Sequence, residues 1–181
     1  MSKKNKEGFE TRAIHAGQKA DPTTGAVMMP IYTSSTFEQE SPGVHKGFDY
    51  SRSINPTRKA FEECIASLEN GEVGFGFSSG VAAISACVEL LAPGDHVIAM
   101  NDLYGGTVRL FNEIKTLSQG IEVTYVDMTD IQNVLEAKTD KTKMIFVETP
   151  TNPLLRVVDL SAIADFAKSE RILSVCDNTF A

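Results

Sequence analysis

No long apolar run occurs anywhere in the 181 residues, so no segment reads as a transmembrane helix. The opening MSKKNKEGFE carries charge but lacks the apolar stretch of a secretory signal, and a cytoplasmic address is the expectation. An excess of positive charge is also lacking. Seventeen Lys and Arg stand against 24 Asp and Glu, a net charge of −7, which argues against nucleic-acid backbones and acidic membrane surfaces as partners. Cysteine is scarce. Cys64, Cys87 and Cys176 are odd in number, scattered and set among apolar residues, the pattern of reduced core thiols rather than of disulfides or a zinc site. The first fifty residues lack sustained periodicity and are dotted with Pro22, Pro30, Pro42 and five glycines. A structureless stretch of that length is unusual inside a compact domain. An extended arm wrapped on a second subunit explains it; a disordered tail is the alternative, which the apolar PIYTSSTF at 30–37 disfavours.

The remaining length suits one domain with a real core. Asn55 is a good N-cap, Pro56 suits a first helical turn and Gly71 is placed to end the helix. Between them Phe61, Cys64, Ile65 and Leu68 share one face. A short strand is expected at 73–77 (VGFGF), then the turn SSG, then a helix VAAISACVELL that is apolar all round and therefore buried. Strand HVIAM (96–100) leads to a helix with Leu110, Ile114 and Leu117 on one face. Strand VTYVD (123–127) precedes a helix capped by Asp130, and KMIFVET (143–149) precedes one starting near Asp159 that feeds ILSVCD. Strands alternating with helices imply right-handed crossovers: an α/β fold with a mainly parallel sheet and helices on both faces.

In such sheets ligands sit beyond the carboxyl ends of the strands. The loops SSG (78–80), NDLYGG (101–106), ETPTNP (148–153) and DNT (177–179) should converge there. The turn through Gly80 offers backbone N–H groups at a helix N-terminus, a cup for phosphate, although capping alone also explains Ser and Gly. Tyr104 stands beside Gly105 and Gly106, which allow close approach to a ligand, and its ring suits either stacking on a flat heterocycle or plugging a gap. Asp177 follows the apolar SVC, where an acid is costly unless it meets a cation or several donors; capping the next segment is the alternative. Phosphate, flat ring and cationic ring nitrogen together describe pyridoxal 5'-phosphate.

Five motifs in order, FDYSRSINPTR (48–58), FSSGVAAI (77–84), DLYGGTVRLF (102–111), ETPTNP (148–153) and VCDNTF (175–180), resemble the pyridoxal-phosphate-dependent enzymes of cysteine and methionine metabolism, from about Thr11 to the end. The resemblance implies a type I transferase fold, incomplete here. Residues 1–55 would form an arm contacting a neighbouring subunit, and 56–181 the first part of the cofactor-binding large domain. It implies that Gly80 and Val81 hold the cofactor phosphate through backbone N–H groups, and that Tyr50 and Arg52 reach a neighbour's phosphate. Tyr104 would stack on the ring and act as the catalytic base; Asn152 would bond the ring's 3'-oxygen. Asp177 would pair with the ring nitrogen, supported by Thr179, while Arg109 and Asp49 would meet substrate groups. Two departures stand out: Ile54 where the family often has a small residue, and Val81 where Met or Leu is common.

The implied reaction is γ-elimination or γ-replacement on a sulfur amino acid, nearest the cystathionine γ-lyase and γ-synthase branch, with cystathionine β-lyase and methionine γ-lyase open. The implied assembly is a homotetramer of dimers that share active sites. The lysine that bonds covalently to the cofactor would lie beyond DNTF, so the chain reads as the N-terminal part of a longer enzyme, inactive alone. Two rivals are weighed. A dinucleotide-dependent oxidoreductase is disfavoured because GFGFSSG lacks the GxGxxG spacing. A non-catalytic fragment that keeps the phosphate cup and arm is the other.

Overall fold

The computed structural model describes residues 7–181. Their backbone divides into two units, Met1–Gly76 and Phe77–Ala181. No helix among the described residues is long and apolar enough to cross a membrane.

In the first unit, α1 (Phe9–His15) packs on α2 (Pro56–Leu68). Asn55 caps α2 by accepting the N–H groups of Thr57 and Arg58, and its amide donates to Tyr32 O and Ser51 Oγ, both at 3.0 Å. Thr57 Oγ1 accepts the Tyr32 N–H at 2.9 Å and donates to Pro30 O at 3.0 Å. The 30–37 stretch is thereby pinned to the start of α2 without regular structure of its own. A short hairpin, β1 (Gln39–Ser41) with β2 (Val44–His45), follows, and Thr36 bridges Tyr50.

The face expected of α2 is only partly buried: Ala60 is buried, whereas Phe61 and Ile65 are exposed. Gly17 explains which side is covered. A side chain there would fall 2.2 Å from Ala60 O, so the arm's backbone lies directly on α2 at that position, while the Phe61 side stays largely exposed. The expected strand at 73–77 does not form. Gly74 has no room for a Cβ, which would meet Glu62 O at 2.2 Å, and the Gly76 N–H donates to Glu62 Oε1 at 2.9 Å. The segment's backbone is thus spent on α2 rather than on a sheet partner, as glycines in a strand pattern can signal.

In the second unit, α3 (Gly80–Val88) precedes β3 (His96–Met100), and β4 (Glu122–Val126), β5 (Thr142–Glu148) and β6 (Leu173–Asp177) complete a parallel sheet ordered β4-β3-β5-β6. The step from β3 to β4 goes one way and the step from β4 to β5 goes back past β3. With right-handed crossovers, the intervening helices lie on opposite faces. On one side Phe111 meets Phe146 edge to face, with centroids 5.3 Å apart. Val134 of α6 (Ile131–Ala137) and Ile163 of α7 (Leu160–Glu170) are buried as well. Residues 97–100 and 144–147 are all buried between these layers, which explains their continuous apolar runs. Asp130 and Asp159 cap α6 and α7 as expected.

Three expectations fail here for identifiable reasons. Helix α4 (Gly105–Arg109) runs into a π-helical segment, Leu110–Lys115, before α5 (Thr116–Gln119). The wider π turn changes the phase of the helix, so Phe111 and Lys115 are buried beside Leu110, while Ile114 and Leu117 are exposed. Only Ile84 and Val88 of α3 are fully buried. Strand β6 is an edge strand, and Cys176 on it is exposed rather than a core thiol.

Candidate active site

Each strand of the sheet ends on, or within two residues of, an acid: Asp127 after β4, Asp102 after β3, Glu148 at the end of β5 and Asp177 at the end of β6. In sheet order these form a row of four carboxylates at the carboxyl edge. Like charges this close are tolerable only if each is answered, and each is answered differently. Asp127 accepts the Thr129 N–H and hydroxyl and pairs with Arg156 at 3.0 Å. These hydrogen bonds, ahead of the arginine's charge, hold its carboxyl below the usual range. Asp102 accepts the hydroxyl of the fully buried Thr151.

Glu148 takes one backbone N–H on each oxygen, from Tyr104 at 2.9 Å and Asn152 at 2.7 Å. Burial pushes its carboxyl above the usual value and the charges of Asp177 and Asp102 push the same way, while the two N–H groups pull it back. Asp177 accepts both the hydroxyl and the N–H of Thr179 on Oδ1, at 2.6 and 3.1 Å.

A cavity of about 320 Å³ opens above this edge, at the small end of ligand pockets. Its wall includes Ser79, Gly80, Val81, Tyr104, Asn152, Asp177 and Thr179. The sequence thus placed six of its candidates, Gly80, Val81, Tyr104, Asn152, Asp177 and Thr179, around one hollow. At one side stands the N-terminus of α3. Ser79 Oγ takes the Ala82 N–H at 3.1 Å and Ser79 O takes that of Ala83, which leaves Gly80 and Val81 as the helix's outward donors. A Cβ added to Gly80 would meet nothing within 4 Å, so the space on its side-chain side is open. Asp177 stands elsewhere on the same wall. The hollow therefore pairs a helix N-terminus, which favours an anion, with a carboxylate, which favours a cation.

Gly106 serves Tyr104 rather than a ligand. A Cβ at Gly106 would fall 2.4 Å from Tyr104 Cε1, so the ring occupies the space that the glycine leaves. Arg109 is exposed and is not part of the cavity wall. Tyr50, Arg52 and Asp49 belong to the first unit. There the Arg52 guanidinium lies 5.0 Å from the Tyr50 ring centroid, and Asp49 Oδ1 accepts the Tyr50 N–H at 2.7 Å.

Sequence reasoning missed two residues. Glu148 lies within ETPTNP, and the signal for it is an acid that ends an otherwise buried strand. Arg58 donates to the carbonyls of Ser51 at 3.1 Å and Ser53 at 2.7 Å and meets Glu62 at 3.3 Å. It fastens the Tyr50–Arg52 turn to α2.

Fold and site define an α/β protein whose cavity sets a helix N-terminus and a carboxylate on one wall. The model of the Cys/Met metabolism PLP-dependent enzyme family matches residues 10–181, and the chain belongs to that family. A cystathionine β-lyase of Coxiella burnetii is 57% identical over 176 residues, covering 97% of this chain and 46% of that protein. A cystathionine γ-lyase of Dictyostelium discoideum is 48% identical over 181 residues, covering 99% and 46%. Among solved structures, cystathionine γ-lyase from Lactobacillus plantarum complexed with L-serine superposes with a TM-score of 0.92 at 48% identity, covering 97% of this chain and 45% of that one. The chain thus spans slightly less than half the length of these relatives. The family's cofactor is pyridoxal phosphate.

Proposed function

We propose that the protein of which this chain forms part is a pyridoxal-phosphate-dependent carbon–sulfur lyase that cleaves cystathionine by γ-elimination. The observation that carries the reading is the bipolar cavity, with the Gly80 and Val81 N–H groups and the Asp177 carboxylate on one wall. The open space at Gly80 fits a phosphate drawn up to the backbone, and Asp177 is the right group for a protonated ring nitrogen. Bound there, the cofactor would supply an electron sink for the substrate carbanion.

The chain's own residues bind, orient and exchange protons. Gly80 and Val81 donate to phosphate. Thr179 fixes Asp177 through Oδ1. Asn152 presents its amide from a loop braced by Thr151 and Glu148, as a partner for the 3'-oxygen. Tyr104 supplies a ring to stack and, as the phenolate, an oxygen to take the proton of the incoming amino group.

Tyr50 and Arg52, paired and held by Arg58, are assigned to the phosphate of a neighbouring subunit's cofactor, with residues 1–55 as the arm that carries them. Arg109 and Asp49 are assigned to the substrate's carboxylate and distal ammonium. The assembly on this reading is a homotetramer of site-sharing dimers, and the cytoplasm, which keeps thiols reduced, is its compartment.

The relative at 57% identity favours β-elimination as a second reading. Incubating the whole polypeptide with cystathionine and identifying the keto acid decides between them: 2-oxobutanoate supports γ-elimination, pyruvate supports β-elimination, and neither product rejects the lyase assignment.

A further inference from the structure

Two of the loops that line the cavity follow different strands, one after β3 carrying Tyr104 and one after β5 carrying Asn152. Two side chains tie them together. Thr151 Oγ1 donates to Asp102, and Glu148 accepts the Tyr104 N–H on Oε2 and the Asn152 N–H on Oε1. The second tie reaches the backbone of the two residues themselves. A carboxylate suits the task because both of its oxygens accept. An amide at this position offers one acceptor and turns its NH₂ against the other N–H.

The acid stands there despite its surroundings. Glu148 is 4% exposed and faces Asp177 directly in the β5–β6 register, with Asp102 also near enough to oppose its ionisation. Burial and two like charges disfavour a carboxylate. Its two N–H partners offset that cost by acting as a clamp between walls.

We infer that Glu148 is a positioning residue for cofactor binding, fixing the Tyr104 ring and the Asn152 amide at one separation. The inference rests on the proposed cofactor reading of the cavity. Because the clamp exists before any ligand arrives, it has its own readout.

The experiment compares the whole polypeptide with its E148Q and E148A variants. Residue-resolved hydrogen exchange without cofactor follows the Tyr104 and Asn152 amides. Titrations with pyridoxal phosphate, read by the visible circular dichroism of the bound chromophore, and with inorganic phosphate follow binding. E148A is expected to speed exchange of both amides at least about tenfold and to weaken pyridoxal phosphate about tenfold. E148Q should release one amide and fall between, and inorganic phosphate, held at Gly80 and Val81, should bind all three alike. If E148A does not fold, the near-isosteric E148Q against wild type decides alone. Wild-type uptake with unchanged exchange or unchanged cofactor signal in the variants overturns the inference and leaves the cofactor reading standing. No wild-type uptake of pyridoxal phosphate overturns both.

Discussion

The Tyr104 ring lies in the space that a Gly106 side chain would occupy, with Cε1 2.4 Å from where a Cβ would stand. The two residues are one device. Tyr104 precedes α4, its N–H is held by Glu148, and its ring is directed over the first turn because residue 106 has no side chain. Motif reading credits the glycine with room for a ligand; the structure gives that room to the tyrosine.

G106A should therefore act on ligand binding more than on stability. Alanine is a better helix former than glycine by up to about 1 kcal/mol, yet its methyl forces the ring away. The chain should keep its melting temperature within a few degrees while pyridoxal phosphate affinity drops about tenfold. Equal affinity for G106A and wild type, measured by absorbance titration, would show that the ring's position is immaterial.

His96 contributes a pH dependence to the second unit. It is buried at the amino end of β3, and its ring bonds Thr142 Oγ1 at 2.8 Å and Thr124 Oγ1 at 2.9 Å, linking three strands. Burial lowers its pKa from the ordinary value; the charge of Glu122 opposes the shift and that of Lys141 adds to it. The unfolded chain thus takes up the proton first as pH falls, so stability is fully present above about pH 6.5 and declines below it. Urea midpoints measured across that range should fall on acidification, and H96N should lose part of the slope. A variant whose slope matches wild type would assign the dependence to other groups.

The backbone at Gly74 lies against Glu62 O, with a Cβ distance of 2.2 Å. G74A should destabilise the first unit by about 1–3 kcal/mol, the usual cost of overpacking, and disturb the Gly76 to Glu62 hydrogen bond. Unchanged urea stability in G74A would contradict the close approach.

These cases show where the sequence was legible. HVIAM, KMIFVET and ILSVCD became β3, β5 and β6 almost as read because local signals, apolar runs bounded by turns and capped helices, agreed with the sheet. Asn55, Asp130 and Asp159 cap as read because capping is decided within four residues. VGFGF misled because its alternation matches a strand while its glycines answer to α2, a contact no local pattern encodes. Ile114 and Leu117 misled because a regular helical period does not continue across the π turn, whereas Leu110 before it is buried as read. Tyr104, Asn152, Asp177 and Thr179 were legible because carboxyl ends of parallel strands converge, whereas Gly80 and Val81 line the cavity from the N-terminus of α3, which follows no strand of that sheet. The Glu148 clamp was not, since its partners are backbone N–H groups 44 and 4 residues away.

The central claim is that Asp177 makes this cavity a site for a cationic ring. Titrating wild type and D177N with pyridoxal phosphate, followed by absorbance and visible circular dichroism, tests it most directly. Thr179 retains an acceptor in D177N, so the turn should survive while the charge is lost. The account predicts at least about tenfold weaker binding in D177N and a changed spectrum of whatever cofactor remains bound. Binding of equal strength with an identical spectrum would contradict it.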